Sequence, residues 1–227
     1  NTQALYELAI DALIHLHNQV RKKPVFVLDY TVAELLREAR LFLDWYYPVT
    51  QGKQPTLAAQ DSYESLWQQA FSDALSQQPN SLILRDYHVD NLVLLSDRDG
   101  FRQCGLLDFQ DALWGPVGYD IVSLLEDARR DVDPALKEHL WQQYGKAFPS
   151  LDLELVRRSS AVISAGRHLK ILGIFTRLAL RDGKKNYLEH LPRVWLLLEV
   201  SLAEAGIPEL RGWFQENVQQ WSVPYVD

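Results

Sequence analysis

The apolar pattern of this chain changes period twice. Before residue 77 and after residue 118, apolar side chains recur at helical spacing, whereas short apolar runs of strand length occur at 82–85, 92–95 and 102–108. The expected fold class is therefore α+β: one mostly helical domain with a small central β-hairpin region. Residues 4–21 read as a helix with Leu5, Ala9, Ala12, Leu13, Leu16 and Val20 on one face. TVAE at 31–34 has the capping-box pattern of a second helix running through about Trp45, and Pro48 with the polar stretch TQGKQPT then breaks the chain. Asp61 to Glu64 repeats the D-x-x-E start, for a helix to about Ala74. SDRDG at 96–100 reads as a hairpin turn with Gly100 available for positive φ, and DALWGPVG at 111–118 as an ordered loop. Helices are expected at about 119–129, 134–147, 152–180, 192–205 and 208–221, with Pro134, Pro149, Pro192 and Pro208 at starts or junctions.

The strand region frames LILRDYHVDNLVLL, residues 82–95, in which seven mostly polar residues sit between apolar runs. Asp86 and Asn91 lie five residues apart in that loop, and Asp108 directly follows the apolar run GLL. If the hairpin folds back, two carboxylates and an amide oxygen come together. Few hard oxygen ligands suit Mg²⁺ that keeps some waters and shares substrate phosphates, and the remaining carboxylate can accept a hydroxyl proton. That is the division of labour in kinase-type phosphoryl transfer from ATP. The protein-kinase patterns H-R-D-x-x-x-x-N and D-F-G appear here as LRDYHVDN and DFQ, with Leu84 in place of the His and Gln110 in place of the Gly.

These segments, with GLLDFQDALWGPVGYDIVSLLEDARRDV and LKILGIFTRLALRDGKKNYLEHLPRV, resemble the aminoglycoside phosphotransferase and choline kinase-like superfamily over about residues 4–205. The likeness is greatest to its bacterial branch of cell-wall amino-sugar kinases, which phosphorylate the anomeric hydroxyl of N-acetylmuramate and N-acetylglucosamine. The resemblance implies a protein-kinase-like fold. It makes Asp86 the catalytic base, Asn91 and Asp108 metal ligands, and ATP and Mg²⁺ the cofactors. Such kinases carry an N-terminal lobe with a strand Lys that pairs with the ATP phosphates. No strand-rich segment precedes residue 82, and the sequence starts inside a helix pattern and contains no Met. The expectation is a C-terminal lobe, residues 1–227, of a longer chain. It should fold but be inactive alone, and the N-terminal lobe should pack on it.

Other residues carry weaker readings. His88 is a candidate contact to the sugar or phosphate, and Asp90 a loop hydrogen-bonder. Asp111, three residues past Asp108, is a candidate to support the metal ligands from behind or to contact the sugar. Tyr119 and Asp120 are expected to lock their loop at a helix start. In LLEDARRDV, Glu126 and Arg129 are candidates to face the cleft, where Arg suits a carboxylate or phosphate. Lys170, Arg177 and Arg181 form one helical stripe, with Arg177 a candidate anion contact. Gly173 inside a helix indicates close packing or room for a ligand. His15 and His17 point to different helix faces and form no metal site. The three basic residues Arg129, Lys170 and Arg177 argue mildly against the cationic acceptors of an aminoglycoside or choline kinase. The complete Asp86, Asn91 and Asp108 set argues against a non-catalytic pseudokinase.

Composition bounds the partners. The net charge of −7 argues against uniform nucleic-acid binding. The single cysteine, Cys104, excludes an internal disulfide framework and suits a cytoplasmic location. No apolar stretch approaches the length of a membrane span, and no membrane partner is expected.

Overall fold

The change of period becomes a change of architecture in the computed structural model, which describes residues 1–219 and 221–224. The chain divides into two compact units, residues 1–30 with 77–160, and residues 31–76 with those from 161 onward.

The first unit holds helix α1 (Thr2–Gln19), all the strands, helix α5 (Tyr119–Leu125), helix α6 (Pro134–Ala147) and the start of the long helix α7 (Leu153–Asp182). Strands β1 (Asn80–Ile83), β2 (Leu92–Leu94), β3 (Cys104–Leu106) and β4 (Leu113–Pro116) form two separate antiparallel ladders. One pairs β1 with β4, from Asn80 opposite Pro116 to Ile83 opposite Leu113. The other pairs β2 with β3, from Leu92 opposite Leu106 to Leu94 opposite Cys104. Strand β4 replaces part of the expected loop, because LWGP pairs as an edge strand despite its Gly and Pro. Residues 100–103 wind into a 3₁₀ turn, so the third strand is shorter than expected; Gly100 has φ of +56°, as its place in the turn requires. Asp29 adds an isolated parallel bridge to Trp114, flanked by the Tyr30 N–H donating to the Trp114 carbonyl at 2.8 Å.

Two-stranded ribbons are marginal alone and need an apolar cover. Here Tyr6, Ile10 and Leu13 of α1 join Leu84, Tyr87, Ile121, Leu124 and Tyr144 in one core. The buried face of α1 is thus turned from the expected one: Leu5 is exposed and Tyr6, Ile10 and His17 are inside. The reading from spacing followed the small aliphatics and gave too little weight to the larger Tyr6.

His15 and His17 do lie on different faces. His15 stacks on Phe101 with ring centroids 3.7 Å apart, whereas His17 is buried with its Nδ1 2.7 Å from the Tyr144 hydroxyl. Burial lowers the His17 pKa to about 4, against the opposing pull of the Leu82 backbone. An unfolded chain protonates this imidazole near its ordinary value of 6.5. Between those values the unfolded state binds a proton that the folded state does not, so stability is complete above pH 6.5 and falls as pH drops toward 4. The expected loss is about 3 kcal/mol. Urea denaturation across pH 7 to 4 checks this, and His17→Gln should flatten that limb.

The second unit is helical: α2 (Val32–Leu41), α3 (Tyr47–Gln51), α4 (Leu57–Ser76), the rest of α7, α8 (Leu191–Ala205) and α9 (Pro208–Asn217). Thr31 caps α2, its Oγ1 accepting from the Glu34 N–H at 3.3 Å. The helical path does not stop at Trp45. A π-helical turn, Phe42–Tyr46, carries it into α3, with the Tyr47 N–H reaching back to the Phe42 carbonyl and Pro48, which has no N–H to give, in the first turn of α3. Gly52, at φ of +66°, ends it. Helix α4 begins earlier than D-x-x-E indicated, at a Thr56 cap accepting from Ala59 N–H at 3.2 Å, so Asp61 and Glu64 lie inside the helix. Helix α9 closes at Asn217; Gln220, within the range expected for that helix, lies outside the described residues.

Large rings fill this unit. Tyr63, Trp67 and Phe71 of α4 are fully buried, and the Tyr63 hydroxyl donates to the Ala39 carbonyl at 2.9 Å. Gly173 marks close packing: a Cβ there would lie 2.3 Å from the Leu41 carbonyl oxygen, so α7 passes α2 too closely for any side chain. The basic stripe is engaged at two of its members, with Lys170 on buried Glu38 at 2.9 Å and Arg181 on Asp182 at 2.7 Å. No helix among the described residues is long and apolar enough to cross a membrane.

Candidate active site

The loop after β1 is held in a conformation its residues do not choose. Arg85 has φ of +71°, a region where a non-glycine side chain costs on the order of 1 kcal/mol or more and persists only under outside constraint. The constraint comes from α5. The fully buried Asp120 carboxylate accepts from the Leu84 N–H at 2.6 Å and from the Arg85 N–H at 2.9 Å. Ser123, one turn on, donates its hydroxyl to the Arg85 carbonyl at 3.2 Å. The Arg85 guanidinium lies over the Tyr30 ring, 5.7 Å from its centroid. Asp120 therefore does lock a loop, but a distant one, 35 residues upstream of itself in sequence.

From there the chain makes tight turns. The Asp86 carbonyl accepts from the His88 N–H at 3.1 Å and from Asn91 Nδ2 at 3.0 Å. The Asn91 N–H donates to the His88 carbonyl at 2.9 Å, and the Asn91 carbonyl accepts from the Leu107 N–H at 2.9 Å. That last bond extends the β2–β3 ladder by one step, to Leu107, the residue before Asp108. Asp108 also has positive φ, +56°, and its Oδ1 accepts from Gln110 Nε2 at 2.6 Å. A continuous chain of hydrogen bonds thus runs from Asp86 through Asn91 to the residue before Asp108. Asp86 and Asp108 are exposed to solvent.

Among the described residues no three His, Cys, Asp or Glu come together as a metal group. A cation at this loop would therefore need the Asn91 amide oxygen beside its carboxylates, as hard-ion chemistry allows.

The remaining sequence candidates separate. His88 is within the loop, its Nε2 3.4 Å from Asn91 Nδ2. Asp111 is exposed, in the turn closed by the Ala112 N–H on the Phe109 carbonyl at 3.2 Å. Glu126 caps the C-terminus of α5. Arg129 binds within the fold: its guanidinium is 3.5 Å from buried Asp127 and 3.6 Å from Asp90. Asp90 is thereby a partner of Arg129. Arg177 belongs to the second unit, half-buried on α7.

Sequence reasoning passed over Ser123, Asp127 and Gln78. Gln78 takes the Gly118 N–H at 3.0 Å and donates to Ser159 Oγ at 3.1 Å, joining the strand region to α7's first turns. For Ser123 the available signal was a single polar residue inside the apolar run IVSLL; Gln78 and Asp127 lie in polar stretches that give none. Beside the loop, Leu5, Ala9, Val89, Leu92 and Leu94 line an apolar groove of about 300 Å³. Cys104 also borders it, and burial pushes its thiol pKa up.

Residues 1–153 match the model of the phosphotransferase enzyme family. The chain is 34% identical over 222 residues to the N-acetylmuramate/N-acetylglucosamine kinase of Caulobacter vibrioides, covering 94% of this chain and 60% of that one. It is 35% identical to the enzyme of the same name from Pseudomonas putida, covering 85% of this chain and 56% of that one. For the one from Neisseria meningitidis the identity is 34%, with 84% of this chain and 57% of that one covered. The chain thus spans about 60% of the length of the curated relatives it matches. A choline/ethanolamine kinase family protein from Mesorhizobium loti superposes with a TM-score of 0.58 at 14% identity, over 95% of this chain and 66% of that one. At that identity the likeness is one of fold.

Proposed function

The chain belongs to the phosphotransferase enzyme family, and on that premise we propose that residues 1–227 form the C-terminal lobe of a cytoplasmic, ATP-dependent sugar kinase. Its proposed acceptor is the anomeric hydroxyl of N-acetylmuramate or N-acetylglucosamine. The single observation that carries the reading is the hydrogen-bonded path from Asp86 through Asn91 toward Asp108, on a chain whose relatives bear that name. In this reading Asp86 orients the acceptor hydroxyl and takes its proton. Asn91 and Asp108 hold Mg²⁺, which supplies neutralisation of charge on the phosphate oxygens. The donors fit that ion: all are hard oxygens, and the Asn91 NH₂ edge is already turned to the Asp86 carbonyl. The apolar groove beside Leu92 suits the flat base of the nucleotide. Phosphoryl transfer is mostly positioning, so a loop fixed by Asp120 before any ligand arrives serves it directly.

A cationic acceptor remains the second reading, because Arg129 is engaged by Asp127 and Asp90 and does not oppose it as the sequence indicated. One screen separates them. The complete protein with MgATP is offered N-acetylmuramate, N-acetylglucosamine, choline and kanamycin, and ADP release is followed. Turnover of the two amino sugars is expected. Turnover of choline or kanamycin alone would overturn the proposal. Asp108→Ala should weaken nucleotide binding in the presence of Mg²⁺ far more than in its absence, measured by calorimetry with and without chelator. Equal losses in both conditions would remove Asp108 from the metal site.

A further inference from the structure

We propose that His88 is a positioning residue for Asn91: it selects which edge of the Asn91 side chain turns to the metal. The inference rests on Asn91 being a metal ligand. An amide side chain has two faces of opposite character, and a ligand loop that does not fix its rotation presents the oxygen only part of the time. Here two groups meet the same edge. The Asp86 carbonyl lies 3.0 Å from Asn91 Nδ2, and His88 Nε2 lies 3.4 Å from it. A carbonyl has no hydrogen, and His88 Nε2 has none in the tautomer protonated at Nδ1, so both can pair only with the NH₂ group. Its two hydrogens are then both directed inward. The carbonyl oxygen is left as the outward edge, available to a hard cation.

The backbone prepares this arrangement. The His88 N–H is held by the Asp86 carbonyl at 3.1 Å, and its own carbonyl accepts from the Asn91 N–H at 2.9 Å. The imidazole and the amide are therefore fixed to each other over a single 3₁₀ turn, Val89–Asn91. This gives the histidine of RDYHVDN a role that neither a sugar contact nor a phosphate contact requires. Outer-shell partners of this kind typically change metal affinity by about 10- to 100-fold.

The test uses the complete protein, with Mn²⁺ as the probe, titrated in the presence of ADP and read by electron paramagnetic resonance. His88→Ala is expected to raise the Mn²⁺ dissociation constant about 10-fold or more. His88→Gln, whose Oε1 can accept from the same NH₂, should recover part of that loss. The KM for the amino sugar should stay within about twofold of wild type in both variants, since the role proposed is toward the metal. Should His88→Ala fail to fold, the comparison of His88→Gln with wild type at the same Mn²⁺ titration decides. Unchanged Mn²⁺ affinity in these variants would overturn the proposal while leaving Asn91 as a ligand. A raised sugar KM with normal Mn²⁺ binding would also overturn it and make His88 an acceptor contact. A wild-type protein that binds no Mn²⁺ with ADP would instead bring down the parent reading of Asn91 and Asp108, and this proposal with it.

Discussion

Asp86→Asn in the complete protein is expected to lower kcat by about 10²- to 10⁴-fold, the usual worth of a general base. Nucleotide affinity should change little. The side chains are nearly isosteric, and the structural ties of this residue are made by its backbone: its N–H donates to the Leu84 carbonyl at 2.9 Å, and its carbonyl holds His88 and Asn91. The substitution therefore removes proton-accepting ability while the loop keeps its form. Steady-state kinetics with saturating amino sugar, paired with calorimetric nucleotide binding, make the measurement. A variant turning over at the wild-type rate would show that the base lies elsewhere.

Asp120→Ala is expected to cost about 3–6 kcal/mol of stability, from two backbone N–H groups losing a charged acceptor at roughly 1.5–3 kcal/mol each. That is a large share of the ~5–15 kcal/mol that holds a typical domain together. Leu84 would lose the acceptor of a buried N–H and Arg85 that of a partly buried one, and Arg85 would lose the restraint that keeps its positive φ. Asp120→Asn should be intermediate, because its NH₂ group would face a backbone donor where an oxygen had been. Chemical denaturation gives the stabilities, and kcat of the folded fraction reports whether Asp86, one residue beyond Arg85, keeps its place. A wild-type denaturation midpoint for the alanine variant would refute this account of the loop.

What the sequence disclosed was local. Loop 84–91, the Thr31 cap, the Gly100 turn and the span of α6 could be read from neighbouring residues, because period, caps and turn chemistry act over a few positions. The misses came from long-range partners. Strand β4 was invisible because LWGP has poor strand propensity and becomes a strand only by pairing with β1, more than thirty residues earlier. Arg129 read as a candidate anion contact, and nothing nearby in the sequence shows that Asp90, on another loop, comes within 3.6 Å of it. Asp120 read as a helix-start acid, a role consistent with its position, while its carboxylate is spent on the backbone of a different loop. For Gly173 the sequence left two explanations open, and only the distance to Leu41 chose between them.

The division of the strands into two ladders has a mechanical consequence. Asp86 follows β1 and so rides on one ribbon, whereas Asn91 precedes β2 and Asp108 follows β3 on the other. The proposed proton acceptor and the proposed ion-holding pair are therefore carried on two ribbons that share no strand. Two tethers join them, 84–91 between β1 and β2 and 107–112 between β3 and β4, together with a shared core and one clasp, the Asn91 amide on the Asp86 carbonyl at 3.0 Å. A small rotation of either ribbon lengthens or shortens the reach between the two chemistries. In the proposed reading the clasp helps to hold the working distance between base and ion, as a pin holds the opening of a pair of tongs.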